Sequence, residues 1–114
     1  MSVKNSSNGS QIEVFKLQAE LCKSLSDPKR LRIIHELREG EKSVNELAEI
    51  LGLKQSNVSQ HLAVLRRTGI ISPRREGTII HYRLVNPKIA EACDLVRGVI
   101  VDQFRNNRNL AARM

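Results

Sequence analysis

The segment 53–70, LKQSNVSQHLAVLRRTGI, has polar side chains where an ordinary surface helix would have charged ones. Small polar residues lead into apolar residues spaced for a helix, and no acidic residue occurs between Leu53 and Gly69. Surface helices usually contain glutamate and lysine, which favour helix formation and hydration. Amide and hydroxyl side chains can instead hydrogen-bond to the edges of bases, whereas carboxylates are repelled by phosphates. The segment therefore predicts a helix that faces DNA.

A larger set of side chains around this helix is suited to the same partner. Glutamine and asparagine can form paired hydrogen bonds with adenine, serine can bond bases or phosphates, and basic residues attract phosphates. From Leu53 to Leu84 the chain has six basic residues against one acidic residue, Glu76. The predicted DNA-binding residues are Lys54, Gln55, Ser56, Asn57, Ser59, Gln60, His61, Arg66, Arg67, Arg74 and Arg75.

Two helices joined by a short turn, predicted over 43–51 and 55–68, must position these residues. The first helix begins with the capping box SVNE and ends at Gly52. The second helix has apolar residues at helical spacing that can anchor it on a core: Val58, Leu62 and Leu65. This pattern is a helix-turn-helix, in which the N-terminal half of the second helix enters the major groove of DNA.

Further helices and a hairpin complete the predicted domain. Apolar periodicity predicts helices over 10–25 and 28–39 and a last helix that begins at Asn86. After Gly69 the pattern alternates, which predicts two strands joined by the tip REGT, with a positive φ at Gly77. The predicted fold is mainly α with a small β-hairpin, a winged helix-turn-helix in the order α-α-α-α-β-β-α.

The composition favours a small helical domain that meets a polyanion. The 114 residues carry a net charge of +7, which is typical of proteins that bind nucleic acid. Aromatic residues make up 3% and tryptophan is absent, so the core must be built from aliphatic side chains. No segment is apolar enough to span a membrane, and the first residues lack the apolar region of a secretory signal. We therefore expect a cytoplasmic protein.

Three stretches resemble the ArsR/SmtB family of winged-helix repressors: SDPKRLRIIHEL, SVNELAEILGLKQSNVSQHLAVLRRTGII and RREGTIIHYRL. The resemblance covers about residues 12–104. It implies a sequence-specific transcriptional regulator, a repressor, that binds an inverted-repeat operator in double-stranded DNA. It also implies a homodimer formed through the first and last helices. Many family members release DNA when a metal or an oxidant binds, so a small-molecule or redox inducer is an open alternative.

Three regions are then expected along the chain. Residues 1–10 form a disordered lead rich in serine and asparagine, 11–105 form the domain that binds DNA and dimerises, and 106–114 form a basic flexible tail. Lys54 departs from the family, which often has serine or threonine at this N-cap. The start of the second helix is therefore expected to be poorly capped, while the lysine adds a charge that attracts phosphate.

The metal sites that the resemblance implies lack their ligands in this chain. One family site uses two cysteines at the start of the helix before the recognition helix, and the other uses aspartate, histidine and carboxylate on the last helix. The aligned positions hold Val44, Asn45 and Glu46 at the first site and Asn86, Lys88, Val99 and Asp102 at the second. This donor set does not suit tetrahedral zinc, so neither a metal nor another cofactor is expected.

The two cysteines, Cys22 and Cys93, are candidates for a redox switch. Each lies on an apolar stripe, one on the first helix and one on the last. In one interpretation they are small buried apolar side chains. In the other, a disulfide, persulfide or metalloid bridges them and changes helix packing and DNA affinity. A bridge requires Cα atoms within about 7 Å.

Two further functions stay open. One is a metal- or metalloid-responsive repressor that uses the two cysteines, and the other is a winged-helix module that binds without operator specificity. An enzyme is not expected, because the sequence has no nucleophile and base in a catalytic arrangement, no phosphate-binding loop, and no paired carboxylates beside a glycine-rich turn.

Overall fold

A computed structural model describes residues 7–113, and among their side chains those of residues 11–108. Five helices and three short strands follow one another along the chain. They are α1 (Ser7–Ser24), α2 (Pro28–Leu37), β1 (Lys42–Ser43), α3 (Val44–Leu51), α4 (Gln55–Arg67), β2 (Ile71–Glu76), β3 (Ile79–Leu84) and α5 (Lys88–Arg113). The prediction of a mainly helical winged helix-turn-helix with a small β-hairpin is confirmed.

The sheet has one strand more than the sequence predicts. The order is β1-β3-β2 and all pairs are antiparallel, with Lys42 of β1 opposite Tyr82 of β3. The two-residue strand β1 carries no alternating pattern of its own and is therefore invisible to periodicity. Because β2 is an edge strand, Pro73 can occupy it without removing a ladder hydrogen bond from a central strand.

Helices extend into both terminal segments of the chain. Helix α1 begins at Ser7, inside the lead predicted over 1–10, and the rest of that lead, 1–6, lies outside the described residues. Helix α5 continues to Arg113, where the sequence predicts a flexible tail over 106–114. The segment RNNRNLAAR contains no proline or glycine that would end a helix, so α5 can continue through it.

Local capping residues set the starts of α2 and α3. The Asp27 carboxylate accepts hydrogen bonds from the backbone N–H groups of Lys29 (2.8 Å) and Arg30 (3.2 Å) at the start of α2. At the start of α3, Ser43 and Glu46 form a reciprocal capping box, and the backbone N–H of Ser43 holds the pKa of the Glu46 carboxyl below its ordinary value.

The core lies between α2, α3, α4 and the start of the sheet. Its buried members are aliphatic, as the scarcity of aromatic residues requires, and its largest fully buried side chains are Ile33, Ile34, Leu47, Val58, Leu62, Leu65 and Ile71. Three of these come from α4, so the predicted anchoring of that helix is confirmed. Burial of one face fixes the direction in which the opposite face of α4 points.

Two helices leave apolar side chains outside this core. Every described side chain of α1 from residue 11 to residue 20 is exposed, and α5 exposes Leu95, Val99 and Phe104. The radius of gyration is 18.0 Å, against about 13 Å for a compact chain of this length. Helices α1 and α5 therefore extend from the core and present an apolar surface larger than a single protomer needs.

Candidate nucleic-acid interface

The outer face of α4 is polar and free of carboxylates. Gln55, Ser56, Ser59 and Gln60 are all exposed. Ser56 and Gln60 lie opposite the buried anchors, and Gln55 and Ser59 lie on the flank toward α3 and the hairpin. The helix repeat places Ser56, Gln60 and Arg67 in one row, at spacings of four and eleven residues. The structure therefore brings these predicted residues together on one accessible helix face.

Asn57 and His61 lie on a flank of α4, toward α2. Asn57 is exposed, but His61 is only partly accessible, and its Nδ1 atom lies 3.2 Å from Nη1 of Arg30. A guanidinium can only donate a hydrogen bond, so Nδ1 of His61 accepts this one. The prediction that His61 contacts DNA stays a prediction, and the structure gives this side chain a partner inside the protein.

The two ends of α4 differ in their chemistry. Lys54 occupies the N-cap and makes no side-chain capping hydrogen bond, as predicted for a lysine at a position where serine or threonine would form one. Arg66 and Arg67 are exposed in the last turn, where a positive charge is favourable against the helix dipole. All three basic groups are exposed and lie at the two ends of the helix.

The hairpin of β2 and β3, the wing, gives two adjacent arginines different surroundings. Arg74 donates to both carboxylate oxygens of Glu41 and forms an ion pair with Glu76 at 3.0 Å, and these bonds raise the pKa of its guanidinium above the usual range. Arg75 is exposed and forms no ion pair within the described part of the chain. The prediction that both meet phosphate stays untested, but only Arg75 has an uncompensated charge.

A polar groove connects the helix-turn-helix to the wing. It has a volume of about 330 Å³ and is lined by side chains of α3, α4 and the hairpin, among them Asn45, Gln55, Ser59 and Thr78. The glycine at the hairpin tip, Gly77, has a φ of 62°, as predicted from REGT. The groove lies beside the exposed face of α4, so one partner could contact both.

The cysteines have different environments. Cys22 is exposed, and Cys93 is partly buried where α5 packs on the core. Burial raises the pKa of the Cys93 thiol. No group of three or more histidine, cysteine or acidic side chains that could hold a metal ion occurs among the described residues.

Two residues that form hydrogen bonds in this region, Glu41 and Arg30, are not predicted from the sequence. Glu41 balances Arg74 across the sheet, and Arg30 contacts α4 from α2. Neither contact has a local sequence signal, because the partners are 33 and 31 residues apart. Within residues 7–113, no helix is both long and apolar enough to cross a bilayer.

The chain is similar to known transcriptional regulators over most of its length. Residues 27–72 match the family described as bacterial regulatory protein, arsR family. The uncharacterized HTH-type transcriptional regulator Rv0081 of Mycobacterium tuberculosis is 43% identical over 88 residues, which are 76% of this chain and 77% of the relative. The biofilm growth-associated repressor of Xylella fastidiosa is 47% identical over 85 residues, 75% of each chain.

Solved structures share the same architecture. The crystal structure of Rv0081 superimposes with a TM-score of 0.73 at 40% identity, covering 82% of this chain and 95% of that one. A second similar structure is a homodimeric winged helix-turn-helix DNA-binding domain from Mycobacterium bovis, described as a possible ArsR-family regulator. Its TM-score is 0.76 at 28% identity, and the match covers 84% of this chain and 89% of that one.

Proposed function

We propose, from the premise that this chain belongs to the ArsR family of DNA-binding transcriptional regulators, that it represses transcription by placing α4 in the major groove of an inverted-repeat operator. The protein acts as a homodimer in which each protomer supplies one recognition helix. The observation that carries the proposal is the polar, carboxylate-free outer face of α4, held outward by three buried anchors. Its 13 residues span about 20 Å, enough to follow the groove.

The side chains of this face divide by the part of DNA that each would contact. Gln55 and Gln60 can read adenine through paired hydrogen bonds, and Ser56 and Ser59 can bond bases or phosphates. The basic groups at the ends of α4 and on the hairpin suit phosphates, and contacts to phosphates fix the register without reading sequence. They are Lys54, Arg66, Arg67 and Arg75, all exposed.

The dimer would use the apolar surfaces of α1 and α5. Leu95 and Val99 lie on the side of α5 away from Ala90, which is buried in the core of the same protomer. A second copy would cover such a surface symmetrically. Two recognition helices related by this symmetry reach successive major grooves when they are about 34 Å apart. Residues 11–105 would then hold both the DNA-binding and the dimerisation surfaces.

Selection from random DNA tests the proposal. The wild-type chain, incubated with a pool of 40-base-pair duplexes, is expected to enrich an inverted repeat with half-sites about one helical turn apart. If the dimer neutralises about eight phosphates, log K falls with log salt concentration with a slope of about −7. Recovery of random sequences with the same salt slope would instead indicate a winged helix without operator specificity.

Gln60→Ala is expected to relax base preference. Its amide is exposed in the middle of the outer face, where it can form two hydrogen bonds to one adenine. Losing them lowers affinity for the selected operator by about 1–3 kcal/mol per half-site and leaves random duplex almost unaffected. Fluorescence anisotropy on both duplexes measures the ratio. Equal losses on the two duplexes would show that Gln60 does not read a base.

Arg75→Gln and Arg74→Gln form a matched pair, since each removes one positive charge from the same strand. Arg75→Gln is expected to weaken binding to all duplexes and to make the salt slope shallower by about 2 per dimer, because two phosphate contacts are lost. Arg74→Gln should lower DNA affinity several-fold less than Arg75→Gln does, because Glu41 and Glu76 already balance the charge of Arg74. Losses of the same size in both variants would contradict this assignment.

A thiol response is a second candidate, because the two helices of the proposed dimer surface each carry one cysteine, Cys22 exposed on α1 and Cys93 partly buried on α5. Hydrogen peroxide would oxidise the exposed Cys22 to a sulfenic acid with release of one water, and the sulfur of Cys93 would then attack that sulfenic acid to close a disulfide. The displaced hydroxide leaves with the Cys93 proton as a second water, so one hydrogen peroxide takes up the two electrons and two hydrogens of the two thiols. Because both helices belong to the proposed dimer surface, operator affinity is expected to fall about tenfold, within the usual range of allosteric coupling.

The response is measured by gel shift with peroxide and then with reductant. Cys22→Ser and Cys93→Ser should each abolish the loss of binding while leaving the reduced affinity unchanged. A wild-type chain whose operator affinity is the same in peroxide and in reductant would exclude the thiol response and would leave the DNA-binding proposal intact.

A further inference from the structure

The flank of α4 that carries His61 is fixed to the corner between α1 and α2. His61, Val64 and Thr68 follow one another along this flank at spacings of three and four residues. A crevice of about 400 Å³ is lined by Val64 and Thr68 of this flank and by Ser24 and Arg30 of the corner. This flank therefore joins the recognition helix to the end of α1.

Arg30 contacts both sides of this joint, the place where the flank of α4 meets the corner between α1 and α2. Its Nε atom donates to the backbone carbonyl of Ser24 at 2.5 Å, and its Nη1 atom donates to Nδ1 of His61 at 3.2 Å. The first contact holds the C-terminal end of α1, and the second holds the middle of α4. One rigid guanidinium thus fixes the distance between two helices that belong to different surfaces of the protein.

A second contact reinforces the joint. Ser24 is 5% exposed, and its hydroxyl donates to the carbonyl of Leu21 at 2.6 Å. The same oxygen lies 3.1 Å from the hydroxyl of Thr68, the C-cap of α4, so the two hydroxyls are hydrogen-bonded. Both ends of the flank, His61 and Thr68, are therefore attached to the same corner.

We propose that Arg30 is a positioning residue that holds α4 at a fixed distance from the dimer axis and so sets the half-site spacing that the dimer accepts. The inference rests on the proposed function, because it requires a dimer through α1 and an operator with two half-sites. Each α4 is tied by Arg30 to α1, so the separation between the two recognition helices depends on the two joints. A loosened joint allows α4 to sample other positions.

Arg30 is not placed to act as one more phosphate contact. It is only partly exposed, and the two described hydrogen bonds of its guanidinium are directed into the protein. A phosphate contact and a positioning residue also differ in what their removal does. Loss of a phosphate contact weakens binding to every duplex and changes the salt slope, whereas loss of positioning changes the preference among spacings.

The test compares Arg30→Gln with Arg32→Gln, which removes the same charge from an exposed position of the same helix. The probes are the inverted-repeat duplex selected by the wild-type chain, two derivatives with one or two base pairs inserted between the half-sites, and a single half-site. Wild type is expected to prefer the selected spacing. Arg30→Gln should lower affinity for that duplex about tenfold and affinity for the other probes less than about twofold, and it should leave the salt slope unchanged. Arg32→Gln should retain the full spacing preference.

Thr68→Val provides a second variant of similar size that removes only the hydroxyl of the joint, in case Arg30→Gln does not fold. It should reduce the spacing preference in the same direction and by a smaller factor. Retention of the wild-type spacing preference in both variants, or an equal loss on all duplexes with a shallower salt slope, would overturn the inference. A wild-type chain indifferent to spacing would overturn the proposed function, and the inference with it.

Discussion

Val99→Glu is expected to convert the dimer into monomers and to lower operator affinity by on the order of 100-fold, a cost of about 2.7 kcal/mol for bringing charge into an apolar interface. Val99 is 56% exposed in the protomer and lies on the side of α5 opposite the buried Ala90. Because a twofold interface repeats each residue, one substitution introduces two carboxylates.

The effect on DNA binding follows from the loss of the second half-site. A monomer presents a single α4, so it keeps the contacts of one half-site and loses the advantage of two linked sites. Sedimentation velocity over a range of protein concentrations measures the dimer, and fluorescence anisotropy with the selected duplex measures affinity.

Arg105→Gln is the matched control. It also lowers the charge of the protomer by one, but it replaces an exposed polar side chain of α5 rather than an apolar one. This variant should remain dimeric and lose little operator affinity. A Val99→Glu chain that sediments as a dimer and binds the operator as wild type does would show that this face of α5 is not the dimer surface.

The fold could be read from the sequence where the signals are local. A cap is formed by residues two or three positions apart, so Asp27 and the Ser43–Glu46 box were predictable from their own neighbours. The turn glycines Gly52 and Gly77 adopt positive φ, which side chains with a Cβ atom rarely do. The anchors of α4 followed from helical periodicity.

The site was less predictable where distant segments meet. Arg74 and Arg75 are adjacent and chemically identical, and only the position of Glu41 across the sheet makes their environments different. The sequence pattern predicts that His61 faces outward with the other polar residues of α4. Its ring accepts a hydrogen bond from Arg30 of α2, which lies 31 residues away and which spacing along α4 cannot indicate. Both differences arise from packing that one-dimensional spacing does not encode.

The helices at the chain ends extend further than the sequence pattern indicates. A basic, asparagine-containing segment such as RNNRN is a weak helix former, so the pattern predicts fraying. Helix α5 nevertheless continues through it to Arg113. An established helix adds residues at little cost, since the unfavourable nucleation step has already been made.

Leu65→Ala is expected to lower the free energy of unfolding by about 3 kcal/mol, the usual cost of a leucine-sized cavity in a close-packed core. Leu65 is 0% exposed and anchors the C-terminal half of α4. Its carbonyl also accepts the backbone N–H of Ile70 at 3.1 Å, which connects α4 to the first strand of the wing. The cavity therefore lies where the recognition helix and the wing are joined.

Chemical denaturation at fixed protein concentration measures this change, because unfolding is coupled to dissociation of the dimer. Arg66→Ala is the control: the neighbouring side chain is exposed, so its removal leaves no cavity and should change stability by less than about 0.5 kcal/mol. At temperatures where Leu65→Ala remains folded, its α4 is less firmly held, and affinity for the operator should fall more than affinity for random duplex. Equal stability of the two variants would mean that α4 is held by its polar flank rather than by its apolar anchors.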